Sequence, residues 1–177
     1  GKNTGPGKPH QGKVAIVTGA YSGIGKAACE ALVSDGAVVV GLDINPDVVN
    51  QLSSPGMTGV VCDLTDSASI TAAVKYTVSR YGGIDIVVCN AGIFKSGERI
   101  EEHSEETWDQ TLAINLTATQ RFMTATIPYL KYGVAPSILV VGSRNYAAPG
   151  PGAAAYSVSK AGITQLARVA ALELAGD

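Results

Sequence analysis

From residue 13 onward, short apolar runs alternate with longer segments of mixed polarity. Five runs are nearly continuous in Val, Ile and Leu: KVAIVTG at 13–19, VVVGLD at 38–43, VVC at 60–62, IDIVVC at 84–89 and SILVVGS at 137–143. Strands covered on both faces of a sheet read this way, whereas half-solvated strands alternate apolar with polar. Between them, helical spacing predicts helices over about 24–34, 67–81, 105–132 and 153–175. Strand and helix in strict alternation give an α/β domain with a parallel sheet, and right-handed crossovers favour a doubly wound, Rossmann-type sheet in the order 3-2-1-4-5. No repeat and no second domain is visible, so 13–177 reads as one domain. The polar, Gly/Pro-rich stretch 1–12 reads as an interdomain linker or a cloning scar. A second Gly/Pro-rich stretch, 146–152, is too short for a linker and is expected to shape the mouth of a pocket.

Chemistry is concentrated at both ends of this pattern. The first strand runs into Gly19, Gly23 and Gly25, spaced GxxxGxG, and then into a helix. Strand, glycine turn and helix form the first unit of a dinucleotide-binding fold, in which bare backbone approaches a pyrophosphate and the helix N-terminus supplies amide donors. A glycine turn alone equally describes a connection that binds nothing. Asp43 changes that balance: it ends the second strand, eighteen residues past Gly25, where a carboxylate suits a ribose 2′-hydroxyl and repels a 2′-phosphate.

Near the other end stand Gly142, Ser143, Tyr156 and Lys160. A tyrosine and a lysine at i and i+4 share one helix face, so an ammonium there lies beside the phenol and favours its ionised form. Such a pair makes a base at neutral pH from a group that otherwise titrates near ~10. Ser143, at the end of an apolar strand, is placed to polarise the same substrate oxygen. Taken alone, the pair is also what a solvated helix surface looks like.

Composition narrows the partners. Thirteen basic and fifteen acidic residues leave a net charge of −2 without a basic run, which argues against nucleic acid and anionic membrane. No apolar stretch reaches the ~20 residues of a membrane span, and none reads as a secretory leader. Cys29, Cys62 and Cys89 lack metal-ligand spacing and read as buried reduced thiols of a cytoplasmic protein, with no metal site. His10 and His103 read as solvated, as does Lys26 on its helix. Glu101, Glu102, Glu105 and Glu106 suit a helix N-terminus. Trp108 and Phe122 read as packing or subunit contacts.

Six signatures in order, TGAYSGIG at 18–25, CDLTD at 62–66, NAG at 90–92, Asn115 in AINLT, Ser143, and YSVSK at 156–160, resemble the short-chain dehydrogenase/reductase family over nearly the whole chain. The resemblance implies Tyr156 as general acid/base, Lys160 on the nicotinamide ribose, Ser143 orienting the substrate oxygen, and Asn115 continuing a proton relay. Read from the residue alone, Asn115 is equally a satisfied core amide. For the cofactor the resemblance implies Gly19, Tyr21, Ser22, Gly23, Ile24 and Gly25 at the turn, and Asp43 and Ile44 at the ribose. Asp63 and Leu64 would lie at the adenine, with Asn90, Ala91 and Gly92, and then Tyr156 and Lys160, along the nicotinamide half. Relatives preferring NADP carry a basic residue where this chain has Ser22 or Ile44, so NAD is expected. The reaction implied is hydride exchange between a small alcohol and its carbonyl compound, with a homodimer or homotetramer pairing the helices at 105–132 and 153–175. An NADPH-dependent ketone or oxoacyl reductase and a non-catalytic nucleotide-binding module are the alternatives. The stretch around YSVSK further resembles the dehydrogenase half of proteins fused to a rhamnulose-1-phosphate aldolase-like domain, which suggests lactaldehyde or a sugar-derived alcohol as substrate. Family domains run to about 250 residues, so the sheet is expected to be truncated after the helix carrying Tyr156 and Lys160.

Overall fold

The computed structural model describes residues 7–95 and 97–176. Five parallel strands, β1 (Val14–Thr18), β2 (Val38–Asp43), β3 (Met57–Val61), β4 (Ile86–Cys89) and β5 (Ser137–Val140), lie in the order β3-β2-β1-β4-β5. Between and after them run α1 (Gly23–Ser34), the single turn α2 (Val48–Gln51), α3 (Ser67–Tyr81), α4 (Glu105–Leu112), α5 (Ala118–Leu130) and α6 (Ala154–Glu173). The doubly wound sheet expected from the alternation is present.

Each central strand buries both faces. Ile16, Val40, Leu42, Val87 and Cys89 pack on one side against Ile70 and Val74 of α3 and Phe122, Met123 and Leu130 of α5. Ala15, Val17, Val39, Ile86 and Val88 pack on the other against Cys29, Val48 and Leu52. This two-sided burial is why the strands read as unbroken apolar runs. The edges read less clearly: β3 begins three residues before the apolar VVC because Met57, Thr58 and Gly59 pair with Val39, Val40 and Gly41. At the opposite edge, Leu139 of β5 is 56% exposed, while Ile138 and Val140, on the other face, line an apolar groove with α5 and α6.

The long helix expected over 105–132 is present as continuous helical backbone over 105–130, but it is not α-helical throughout. Between α4 and α5 the chain makes a π-helical turn, Ala113–Thr117, centred on Asn115. Single π turns inside α-helices are frequent at functional sites. Local caps account for helix starts that the sequence does announce: Asp66 accepts from Ala68 N and Ser69 N at α3, and Ser104 accepts from Thr107 N at α4.

Two contacts at the domain's edge go beyond those expectations. Of the stretch 1–12, residues 1–6 lie outside the described residues; the rest turns back onto the domain, with His10 N donating to Asp35 O at 2.9 Å and Gly12 N to Gly36 O at 3.4 Å. His10 is therefore half-buried. Asp85, read only as a strand residue, accepts from Val14 N at 2.7 Å and Val134 N at 2.6 Å, tying the entries of β1 and β5 together. Among the described residues no helix is long and apolar enough to cross a membrane.

Candidate active site

The strand order reverses between β1 and β4, and open parallel sheets bind ligands outside the carboxyl ends of their strands at such a point. A cleft of ≈ 510 Å³ opens there. Gly19, Asp43, Ile44, Asp63, Leu64, Ala91 and Gly92, all expected from the sequence, line it. Cys62, Thr65, Ile93, Gln110, Ala113 and Ile114 line it too and were not expected. Gln110, Ala113 and Ile114 come from α4 and the π turn, where periodicity carries no hint of a ligand.

The glycine turn is built for close approach. Gly19 has φ +66, and a side chain there would meet Asn90 Nδ2 at 2.8 Å and Ala91 Cα at 2.9 Å. A Cβ on Gly25 would lie 2.0 Å from Gly19 O, so α1 can abut β1 only with a bare backbone. Gly25→Ala is expected to cost about 2–3 kcal/mol. A urea midpoint equal to that of the unchanged protein would show that the turn yields.

Asn90 does not point into the cleft. Its Nδ2 donates to Thr18 O at 3.0 Å and Gly19 O at 3.2 Å, while Thr18 Oγ1 accepts from Asn90 N at 3.0 Å and Ala91 N at 3.1 Å. The side chain staples the two strand ends, and Ala91 and Gly92 are left to face the ligand. Asp43 is similarly held: its two oxygens accept from Tyr21 N at 3.0 Å and Asn45 N at 2.9 Å. Each carboxylate oxygen keeps a free lone pair. The Tyr21 N–H thus holds Asp43 in place, while Ser22, Gly23 and Ile24 are exposed around the start of α1. Asp63 is turned toward Thr65, whose hydroxyl and N–H hold its carboxyl below the usual carboxylate range.

Tyr156 and Lys160 lie one turn apart near the start of α6, with the Lys160 ammonium 5.7 Å from the Tyr156 ring centroid. Lys160 is only 5% exposed, and burial holds its amine below the ordinary lysine range. Its Nζ donates to Val141 O at 2.8 Å, two residues before Ser143. Ser143 starts a short 3₁₀ turn, accepting from Asn145 N at 3.2 Å; Asn145 Nδ2 in turn donates to Ser157 Oγ at 3.4 Å. Through these bonds the end of β5 and the start of α6 form one unit.

Asn115 makes the remaining link. Its Oδ1 accepts from Ile93 N at 2.8 Å, and its Nδ2 donates to Ile93 O at 2.9 Å and to Ser159 Oγ at 3.1 Å. Ser159 donates onward to Tyr156 O at 2.7 Å. A Cβ on Gly92 would sit 3.1 Å from Asn115 Oδ1 and 3.8 Å from Lys160 Nζ. Gly92 is therefore a thin wall between the cleft and the buried ammonium.

Two contacts were not legible in the sequence. Phe94 sets its ring edge-on to Tyr156, with centroids 4.6 Å apart. His103, expected in solvent, keeps only 9% of its side chain exposed, with Glu98 Oε2 3.5 Å from its Nδ1 and the Trp108 ring 6.0 Å away. The three cysteines are free and buried; burial pushes the Cys29 and Cys89 thiols up to about 12, which leaves them unreactive at neutral pH.

The profile of the short chain dehydrogenase family matches residues 13–177. Human dehydrogenase/reductase SDR family member 4 is 35% identical over 173 residues, covering 94% of this chain and 62% of the relative. The 3-oxoacyl-[acyl-carrier-protein] reductase of Thermotoga maritima is 34% identical over 172 residues, covering 94% and 70%. Among solved structures, the ligand-free aldohexose dehydrogenase of Thermoplasma acidophilum superposes with a TM-score of 0.86 at 30% identity, covering 95% of this chain and 64% of that one. The chain thus spans roughly two thirds of the relatives it matches. With the glycine turn, the switch-point cleft and the Tyr–Lys turn all in the order of that family, the chain belongs to the short-chain dehydrogenases.

Proposed function

We propose that this domain serves an NAD-dependent oxidoreductase that exchanges hydride between a small alcohol and its carbonyl compound. The observation that carries the reading is the position of Lys160: a buried ammonium beside the Tyr156 ring on one side and behind Gly92, a wall of the cleft, on the other. A charge is costly to bury, and this one joins a phenol to a dinucleotide-sized groove. That cost also weighs against a module that merely binds nucleotide.

The residues present fit a dinucleotide. Gly19 and Gly25 leave the backbone bare at the start of α1, whose N–H groups suit a pyrophosphate, and Ile44 and Leu64 offer apolar surface for an adenine. Bound NAD would supply the hydride acceptor. Tyr156 takes the hydroxyl proton of the alcohol in oxidation and returns it in reduction. Ser143 donates to the same oxygen as charge develops there. Lys160 holds positive charge beside the phenol and reaches toward the ribose side of the cleft. Asn115 positions Ile93 and, through Ser159, the Tyr156 backbone; a proton relay past Lys160 would run along this path.

Asp43 sets the cofactor preference. Its carboxylate, fixed by Tyr21 N and Asn45 N, hydrogen-bonds a ribose 2′-hydroxyl and repels a 2′-phosphate. Asp43→Ala should lower the ratio of kcat/KM with NAD to that with NADP at least about tenfold. Wild-type preference for NADP would instead favour the reductase reading, for which the name of the Thermotoga relative is the support. Absorbance at 340 nm, followed with either cofactor and a panel of small diols, hydroxyaldehydes and sugar alcohols, tests the activity in the complete protein. Turnover with NAD supports it, and measurable NAD binding without any turnover would move weight to a non-catalytic role.

Lactaldehyde or a sugar-derived alcohol, a fused aldolase-like domain, a cytoplasmic setting and pairing of subunits through α4, α5 and α6 complete the proposal. Val169 and Leu172 of α6, 41% and 81% exposed, are apolar surface suited to that pairing.

A further inference from the structure

Beside Tyr156, but apart from the cofactor cleft, lies a second cavity of ≈ 420 Å³, lined by Phe94, Lys95, Glu98, His103, Thr107 and Gly152. Its wall is built rather than incidental. Gly97 N donates to Gly152 O at 2.9 Å, closing the β4–α4 loop onto the Gly/Pro-rich loop before α6. Gly152 has φ +74, and a Cβ there would meet Gly97 N at 3.1 Å. Glu98 is fixed by the start of α4, where its Oε2 accepts from Ser104 N at 3.2 Å and lies 3.5 Å from His103 Nδ1. Trp108 in turn braces the His103 ring.

Subtracting these internal bonds leaves a mixed set of open positions. Glu98 Oε1 has no hydrogen-bond partner among the described residues and is taken as an open acceptor. Lys95 spends one N–H on Gln110 Oε1 and keeps two. The Thr107 hydroxyl makes no hydrogen bond among the described residues and offers both a donor and an acceptor. Lys95 and Glu98 carry opposite charges, and His103 already faces Glu98. An anion would face Glu98, and an alkyl or acyl chain would strip water from all three groups without replacing their bonds. A neutral molecule carrying several hydroxyls, each able to donate and accept, matches the set. The cavity volume lies in the range of small-ligand sites.

We propose that this cavity is the substrate's second subsite and that it selects small polyhydroxylated alcohols. Phe94 makes the connection: one ring lines the cavity and stands edge-on to Tyr156, so a substrate whose reacting carbon lies at the phenol extends over Phe94 into the polar chamber. The inference rests on the hydride-transfer reading above, and its test separates the two.

The complete protein is assayed with NAD and three alcohols of equal carbon count: erythritol, 2,3-butanediol and 2-butanol. Efficiency should climb with hydroxyl number, by about tenfold or more from 2-butanol to erythritol. Thr107→Val and Glu98→Gln should each lower the erythritol-to-2-butanol ratio of kcat/KM about fivefold to twentyfold, mainly through KM for erythritol. Glutamine retains an oxygen for Ser104 N, so this variant keeps the α4 start intact. Equal efficiency with 2-butanol and erythritol overturns the subsite while leaving hydride transfer standing, as do variants that slow both substrates alike. No turnover with NAD or NADP on any of the three, or on the wider panel, sinks the hydride-transfer reading and this inference together.

Discussion

Tyr156→Phe lowers kcat about 10³- to 10⁴-fold in the complete protein while the Kd for NAD stays within a few-fold of wild type. A positioned general acid/base contributes about 10²–10⁴, and in the proposed mechanism the phenol also shares the substrate oxygen with Ser143, which places the loss at the upper end. The substitution removes one oxygen and keeps the ring, so the edge-on contact with Phe94 at 4.6 Å survives. Cofactor affinity should hold because the cleft is lined by the glycine turn, the ends of β2 and β4 and the π turn rather than by the Tyr156 ring. Steady-state kinetics and isothermal titration with NAD read the two halves separately. Near-normal turnover would remove Tyr156 from the mechanism, and a large loss of NAD affinity would make it a binding residue instead.

Lys160→Met is expected to lower kcat about 10²-fold or more and yet to leave stability within about 1 kcal/mol of wild type. Methionine fills the same channel along α6 without a charge to desolvate, while Val141 O loses its 2.8 Å donor; the two changes oppose each other. The pH dependence has a definite sign. Burial holds the folded-state amine below the ordinary lysine range, whereas the unfolded chain titrates near ~10.4. Between those values the unfolded state binds the proton that the fold has shed, so wild-type stability rises with pH through that window. Urea unfolding at pH 7.5 and pH 10 should therefore show the wild type gaining on the variant at the higher pH. A loss instead would mean that the fold stabilises the ammonium, contrary to the burial argument. An activity loss together with a collapse in stability at pH 7.5 would make Lys160 a structural residue first.

The sequence carried the parts whose cause is local. Apolar runs identified all five strands because both faces of the inner ones are buried; β3, at an edge, was placed late because Thr58 and Gly59 interrupt its pattern. GxxxGxG with Asp43 marked the cleft because bare backbone and a carboxylate at fixed spacing answer to ligand chemistry. Tyr156 and Lys160 were legible because helix geometry alone puts i and i+4 on one face.

Contacts between distant segments were not legible, since periodicity is blind to them. Asn90 turns inward to the β1 end, 71 and 72 positions away in sequence. Asn115 was open between relay and core amide; its bonds to Ile93 and Ser159 satisfy the amide at a π turn within the helix and leave the relay a proposal. Ala113 and Ile114 of that π turn line the cleft, where helical periodicity gave no reason to expect them. His103 left the solvent because Glu98 and Trp108 close over it, and Phe94 met Tyr156 across 62 positions that no local rule relates. By itself, then, the sequence determined the layered sheet, the glycine turn and the pairing of Tyr156 with Lys160, all products of backbone periodicity and of chemistry at short spacing. Only the tertiary structure decided which amides orient that chemistry, what walls the cleft and which polar groups stand open beside the phenol, because those depend on side-chain hydrogen bonds formed once the segments are packed.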